Sequence, residues 1–401
     1  MNLEPFLRLK RYCEAEGFRG WDPYDGLNSR VFQAIPLLKR SALCRLVVIQ
    51  GFKRCPVNLR RVALVPKEYN AKGIGLFLQG YCNLLRAVRE TPALEKELGT
   101  QAELTARIKE LADLLIRLRS KGDYHGACWG YNFDWQARRL FLFPKFTPTV
   151  VATNFCATAL MEAYEATGCR NYLDTALSAA EFVMRDLHRA PLNGGFLFSY
   201  SPLEGNDTVF NASLLGSRLL SYCYHYTRDE RYKEAARMSV AACCSAQNPD
   251  GSWVYGMLPV QSWIDSFHTG YNLDGLIAYE EMTGDTAFHD HIERGFRFYI
   301  ENFFEPNGCP KYYHNQTYPI DIHCPGQLFV TLCRLHRFGE HRALAEKVLG
   351  WTIRHMQDKR GYFYYQLKKG ISSKIPYMRW SNAFMFNALS YYILGNGRQK
   401  D

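Results

Sequence analysis

No stretch of this 401-residue sequence approaches 18 consecutive apolar residues, which excludes a transmembrane helix by length. The start, MNLEPFLRLKRYCEAEG, has neither the apolar core nor the small-residue cleavage site of a secretory signal, so none is expected. The thirteen cysteines are odd in number and scattered, without a C-x-x-C or a His/Cys pair at zinc spacing. A disulfide framework is therefore not expected; reduced, mostly buried thiols in a cytoplasmic protein are. A phosphate-cradling glycine loop, a serine nucleophile elbow and a convincing metal set are also missing, so no cofactor and no metal are expected.

Acidic residues are missing from one long stretch. None occurs between Gly26 and Lys67, whereas Arg30, Lys39, Arg40, Arg45, Lys53, Arg54, Arg60, Arg61 and Lys67 all fall there. These nine nearly account for the net charge of +10. Such a stretch suits an acidic polysaccharide or, through residues 26–67, peripheral contact with an anionic membrane surface. Nucleic acid is not expected, because no recognised binding motif accompanies the charge. A solvated face with no partner is the plain alternative. On the anionic-partner reading Arg60 and Arg61 are surface charges, whose replacement by Gln should reduce affinity with little loss of stability.

What the sequence does have is a repeat. Gly168, Arg228, Gly284 and Gly339, spaced by 60, 56 and 55 residues, stand in EATGCRNYLDTA, HYTRDERYKEAA, EMTGDTAFHDHI and HRFGEHRALAEK. Each ends one apolar helical run and opens another, so each marks the turn of an αα-hairpin that must stack on its neighbours to bury its apolar face. Helices are predicted at 70–90, 101–120, 149–166, 170–187, 208–226, 229–246, 263–282, 286–303, 322–337, 340–357 and 380–394. Residues 2–17 read as a further amphipathic helix. LCRLVVIQGF and LRRVALVP read equally as strands or helix ends. The long connections, such as HGACWGYNFDWQARRLFLFP, NGGFLFSYSPLEGN and NPDGSWVYGMLPVQ, each place a Gly before an aromatic-rich run, several with β-hairpin alternation. The predicted fold is an all-α (α/α)6 toroid with these loops on one rim. Residues 1–68 form a basic N-terminal segment of the same toroid, and 69–401 form the toroid domain.

The hairpin period, the aromatic loops and inner-helix starts such as WIDSFHTGYNLDGLIAYEEMTG make residues 70–395 resemble the six-hairpin glycosidase group, including N-acylglucosamine 2-epimerase-like and unsaturated glucuronyl hydrolase-like proteins. HCPGQLF is similar to the His-Pro-Gly turn of the epimerase-like branch, but Cys324 precedes Pro325 and Gln327 stands where that branch tends to place His. QNPDGSWVYG resembles the Gln-x-x-x-Gly-x-Trp repeat of triterpene cyclases and prenyltransferase-like toroids; it occurs once in that form, without an Asp-rich run. The resemblance implies an enzyme acting on an acidic, uronate-containing oligo- or polysaccharide, by hydrolysis or β-elimination. Epimerisation in the same pocket and a non-catalytic module of surface-polysaccharide assembly are the alternatives, and a terpenoid enzyme is the outsider.

Glycosidic hydrolysis generally uses an acid and a carboxylate, whereas proton abstraction beside a uronate carboxyl needs Tyr or His with a neutralising group. Asp265 and His268, at i and i+3, share a helix face; Asp321 with His323 and Asp207 with Asn206 and Asn211 occupy comparable helix starts. These five, Asp265, His268, Asp321, His323 and Asp207, are the candidate catalytic residues, with helix capping as the plain alternative for the acids. Trp263, Tyr271 and Tyr313 accompany them. Trp129, Tyr131, Asp134 and Trp135, with Arg138 nearby, and Arg379 with Trp380 complete the candidate substrate-binding set, since sugar faces stack on aromatic rings. Trp129, Asp207, Asp265, His268, Asp321, His323 and Arg379 are expected to converge around one central cavity.

Overall fold

The computed structural model describes residues 2–136 and 142–397. Its first helix, α1 (Glu4–Ala15), takes Pro5 into its first turn, where a missing N–H costs nothing. Three short helices follow in the basic stretch: α2 (Arg30–Gln33), α3 (Pro36–Arg40) and α4 (Ala42–Arg54). LCRLVVIQGF is thus helical, and LRRVALVP lies mostly in turns. From α5 (Ala71–Glu90) the order is regular: α6 (Glu95–Leu98, a single turn), α7 (Gln101–Arg117), α8 (Val150–Thr167), α9 (Arg170–Arg185), α10 (Phe210–Thr227) and α11 (Glu230–Ser245). Then come α12 (Ser266–Thr283), α13 (His289–Asn302), α14 (His323–Arg334), α15 (Arg342–Met356) and α16 (Phe384–Gly397), the last preceded by a π-helical stretch, Met378–Ala383.

Helices α5, α8, α10, α12, α14 and α16 pack each against the next, and α16 returns to α5. They are buried around most of their circumference, as expected of interior helices. Outer helices bury one stripe; in α9 it is Tyr172, Leu173, Ala176, Ala179, Ala180 and Val183. Helices α7, α9, α11, α13 and α15 form the outer ring, and α1, packed on α16, occupies the remaining place. The architecture is an all-α (α/α)6 toroid. Small hairpins decorate its rim: β1 (Trp135–Gln136) with β2 (Leu142–Phe143), and β3 (Arg189–Leu192) with β4 (Gly195–Phe198). A third pair, β5 (Ile320–Asp321) with β6 (Gln366–Leu367), ties two rim loops together.

At the tight-turn edge, Gly168, Arg228 and Gly284 sit in the left-handed region with φ of 71°, 56° and 73°, ending α8, α10 and α12. The fourth anchor differs. After α14 the left-handed residue is His336 (φ 55°), three positions before Gly339, because α14 ends early and the chain turns sooner.

At the other edge, the glycine that precedes each aromatic run has a common cause. A Cβ on Gly126, Gly195, Gly251, Gly308 or Gly361 would stand 2.0–2.5 Å from the carbonyl oxygen of Ser178, Met238, Arg294, Lys347 or Arg8, respectively. Each loop thus lies directly on the backbone of the next outer helix, and the last lies on α1. The polar clasp is repeated too. Gln247 Nε2 donates to the carbonyls of Gly251 and His291 while Arg294 donates to its Oε1; Gln357 makes the same set with Gly361, Pro5 and Arg8.

The chain from α1 to α5 is therefore the sixth rim loop, enlarged to carry α2, α3 and α4. Within it Arg60 is not a surface charge. It is wholly buried, with Nε 2.7 Å from Asp25 and a second bond to the Asp22 carbonyl. Replacing it by Gln would strand a buried carboxylate, so only Arg61 of that pair tests surface charge.

Candidate functional site

Inner helices start at the rim that carries the long loops, so side chains from their first turns meet there. Asp265 caps α12 by accepting from the His268 backbone N–H at 3.0 Å. Its other oxygen accepts from Trp263 Nε1 at 3.0 Å and lies 2.7 Å from His268 Nδ1. Capping and orientation of the imidazole are thus one arrangement, since i and i+3 coincide with the cap and its third residue. The Asp265 side chain is fully buried, whereas that of His268 keeps 19% exposure. With Nδ1 held by a carboxylate, the neutral imidazole carries its lone pair on Nε2. Tyr255 stacks on Trp263 at 4.5 Å and lies 4.7 Å from the His268 ring.

Asp321 does not cap α14, whose capping position is Ile322; one residue earlier, it accepts from the His323 N–H at 3.0 Å, from Trp380 Nε1 at 3.0 Å and from Gln366 Nε2 at 3.3 Å. His323 is packed between Phe384 (4.0 Å), Trp380 (4.4 Å) and Phe267 (5.0 Å). Its Nδ1 lies 3.4 Å from Asp321 but off the hydrogen-bonding line, and it has no other partner. Burial pushes its pKa down to about 4 against the pull of Asp321, so it is neutral near pH 7. Tyr312 feels both Asp265 and Asp321, and Tyr313 lies against it at 4.5 Å and bridges the backbone of Asp265.

Two basic side chains, Lys72 and Arg379, lie in the floor. Lys72, two residues past the Asn70 cap of α5, is buried, with Nζ 3.4 Å from the Tyr271 hydroxyl and 4.2 Å from the Phe155 ring centre. Burial, reinforced by the nearby Arg379 charge, holds its pKa well below the usual lysine range. Arg379 itself carries no free charge: Nε and Nη2 grip both oxygens of Asp22 at 2.5 and 2.8 Å, and it is 5% exposed. Its guanidinium lies 5.0 Å from the Tyr131 ring centre and 5.1 Å from that of Trp380. Tyr131 stacks on Phe133, Trp135 on Phe143, and Tyr24 leans on Trp380 at 5.7 Å.

The expected convergence is therefore partial. Asp265, His268, Trp263, Tyr271, Tyr313, Asp321, His323, Trp380, Arg379 and Tyr131 are joined by short contacts, with Trp135 at the edge beside Tyr24. Trp129 is wholly buried in the wall, its Nε1 donating to the Leu115 carbonyl. Asp134 closes its own loop through the Lys145 N–H. Asp207 is half-buried and does not cap α10, whose capping position is Val209. Arg138 lies outside the described residues. Sequence reasoning passed over Lys72, though it is the one charge in AKGIGLFLQGYCNLL, a run otherwise fit for an interior helix. A cavity of about 560 Å³ lies at the opposite mouth, where Arg334 already bonds the hydroxyls of Tyr222 and Tyr391 and Arg86 meets Glu162. None of the candidate residues lines it.

Two concentric rings of helices with a rim of aromatic loops define the class of fold, an (α/α)6 toroid. Solved structures of similar fold include a sugar epimerase from a ruminal bacterium, 13% identical, covering 84% of this chain and 90% of that one with a TM-score of 0.58. The GH76 α-mannanase of Bacteroides thetaiotaomicron is 13% identical over 82% of this chain and 87% of its own, with a TM-score of 0.60. An unsaturated glucuronyl hydrolase specific for heparin is 14% identical over 80% and 85%, with a TM-score of 0.55. No family model and no curated protein matches the sequence. At such identities the likeness is one of fold, and the activities of these three proteins differ.

Proposed function

We propose that the protein is a carbohydrate-active enzyme that abstracts the proton beside the carboxylate of an acidic, uronate-containing oligo- or polysaccharide and cleaves the neighbouring glycosidic bond by β-elimination. The observation that carries this is the Asp265–His268 pair at 2.7 Å, opening from a buried carboxylate to a partly exposed imidazole. His268 Nε2 takes the proton from carbon five, the C4–O bond breaks as the C4–C5 double bond forms, and the departing oxygen takes up a proton. The Lys72 amine, 3.4 Å from the Tyr271 hydroxyl, is the basic group behind the reacting centre that Asp22 does not neutralise, and the Tyr255–Trp263 and Tyr131–Phe133 stacks offer ring faces for sugars. Hydrolysis by paired carboxyls is less well supported, because Asp265 and Asp321 are both buried and each already accepts three hydrogen bonds. Epimerisation stands behind elimination, since Gln327 is tied to Asp274 and Thr331 within the helix packing.

The test is a panel of uronate-containing glycans, read for new reducing ends and for the absorbance of an unsaturated product together. Reducing ends without that absorbance would mean hydrolysis, and binding without either would mean a non-catalytic module. On the active glycan, His268→Ala and Asp265→Asn should each lower turnover by about 10²-fold or more. Normal turnover with a melting point lowered by the ~1 kcal/mol of a lost cap would assign the pair to the scaffold.

A further inference from the structure

We propose that the enlarged basic rim loop docks this protein on an anionic phospholipid bilayer, with the aromatic mouth on the docked side. Among the described residues, nine of the fourteen large apolar side chains left exposed fall between Val31 and Leu64. Leu37 is 78% exposed, Leu43 66%, Val47 61% and Val62 80%. They are interleaved with Arg30, Lys39, Arg40, Arg54 and Arg61, all exposed and without an ion pair among the described residues, in a stretch that contains no acid. On α4, Leu43, Val47, Gly51 and Arg54 share one outward face, while Ile49 on the other side is buried with Leu27 and Phe32. An aliphatic stripe beside free cations is the composition of a surface that lies in a membrane interface. No helix among the described residues is long and apolar enough to cross a membrane, so the contact is peripheral.

Other occupants fit less well. A second copy would bring one set of uncompensated cations against another. A hydrated acidic polysaccharide would use the cations but gain nothing from leucine and valine, and the exposed apolar groups here are aliphatic, not the rings that stack on sugars. The same loop supplies Asp22 and Tyr24, which contact Arg379 and Trp380, so docking brings the candidate mouth to the bilayer side. The inference holds whether or not that mouth performs elimination.

Sedimentation of the full chain with vesicles tests it. The protein should pellet with equimolar phosphatidylcholine–phosphatidylglycerol vesicles, not with phosphatidylcholine alone, and salt should weaken the binding. The pair Lys39→Gln/Arg40→Gln and, separately, Leu43→Ser/Val47→Ser should each lower the partition coefficient roughly tenfold or more while leaving melting unchanged. Failure to pellet with the anionic vesicles would overturn the proposal. So would binding that the charge pair abolishes but the apolar pair leaves intact, which would indicate a hydrated polyanion. A dimer abolished by the Leu43/Val47 pair, with no vesicle binding, would identify the occupant as a second copy.

Discussion

Lys72 and His323 are ionisable groups held where water cannot reach them, and both leave a signature in stability. The folded-state pKa of Lys72 lies well below its unfolded value near ~10.4, so at neutral pH the unfolded chain holds a proton the folded chain resists. That penalty fades only as pH rises toward the unfolded value. Lys72→Met should therefore raise the melting temperature at pH 7 while reducing activity on any acidic glycan; a lower melting temperature would show that the lysine is there for packing. His323 titrates at about 4 in the folded protein and near ~6.5 when unfolded. Stability should accordingly fall as pH drops from ~6.5 to ~4, by up to roughly 3 kcal/mol. In His323→Phe that component disappears, so its melting temperature should gain on the parent as pH falls. Parallel pH profiles would contradict a buried neutral imidazole.

The element-scale lesson lies in the glycines. Both classes were visible in the sequence, one as the repeat anchor and one as the residue before each aromatic run, but spacing did not say which mattered more. Gly168 has nothing within 4 Å of a built Cβ, so Gly168→Ala should cost only the left-handed backbone term, about 1 kcal/mol. At Gly251 and Gly361 a Cβ would meet a helix carbonyl at 2.3 Å, with φ of 92° and 106° as well. Alanine there should cost upwards of ~2 kcal/mol, because a whole outer helix must move. Denaturant midpoints of the three variants give the order directly, and equal shifts would refute the docking role. Helix boundaries fell within four residues of expectation because the apolar period is long and uninterrupted. The fourth turn holds Gly339 as expected, but its left-handed residue is His336, which no glycine announces.

At the scale of the molecule, the ring closes through its N-terminus. Phe6 meets Phe386 at 5.1 Å, Leu9 is fully buried, and Arg8 and Pro5 complete the clasp on Gln357. Deleting residues 1–15 should cost on the order of 5 kcal/mol from those two apolar side chains and the exposed α16 face. An unchanged cooperative melt would demote α1 to an appendage. By itself the sequence determined the hairpin period, the two rings and the aromatic rim, since these follow from which residues recur and at what spacing. It also determined the Asp265–His268 pair, because three residues along a helix bring two side chains together without help from the rest of the chain. The remainder of the mouth was decided by tertiary structure. Arg379 and Asp22 are separated by nearly the whole chain, and only ring closure makes them partners, turning an expected sugar clamp into an internal ion pair. Lys72 meets Tyr271 across the ring, and Arg60 sinks beside Asp25 while its neighbour Arg61 stays outside. Periodicity reports which face of a helix is covered; it carries no information about which distant residue does the covering, and burial, charge pairing and pKa all depend on that.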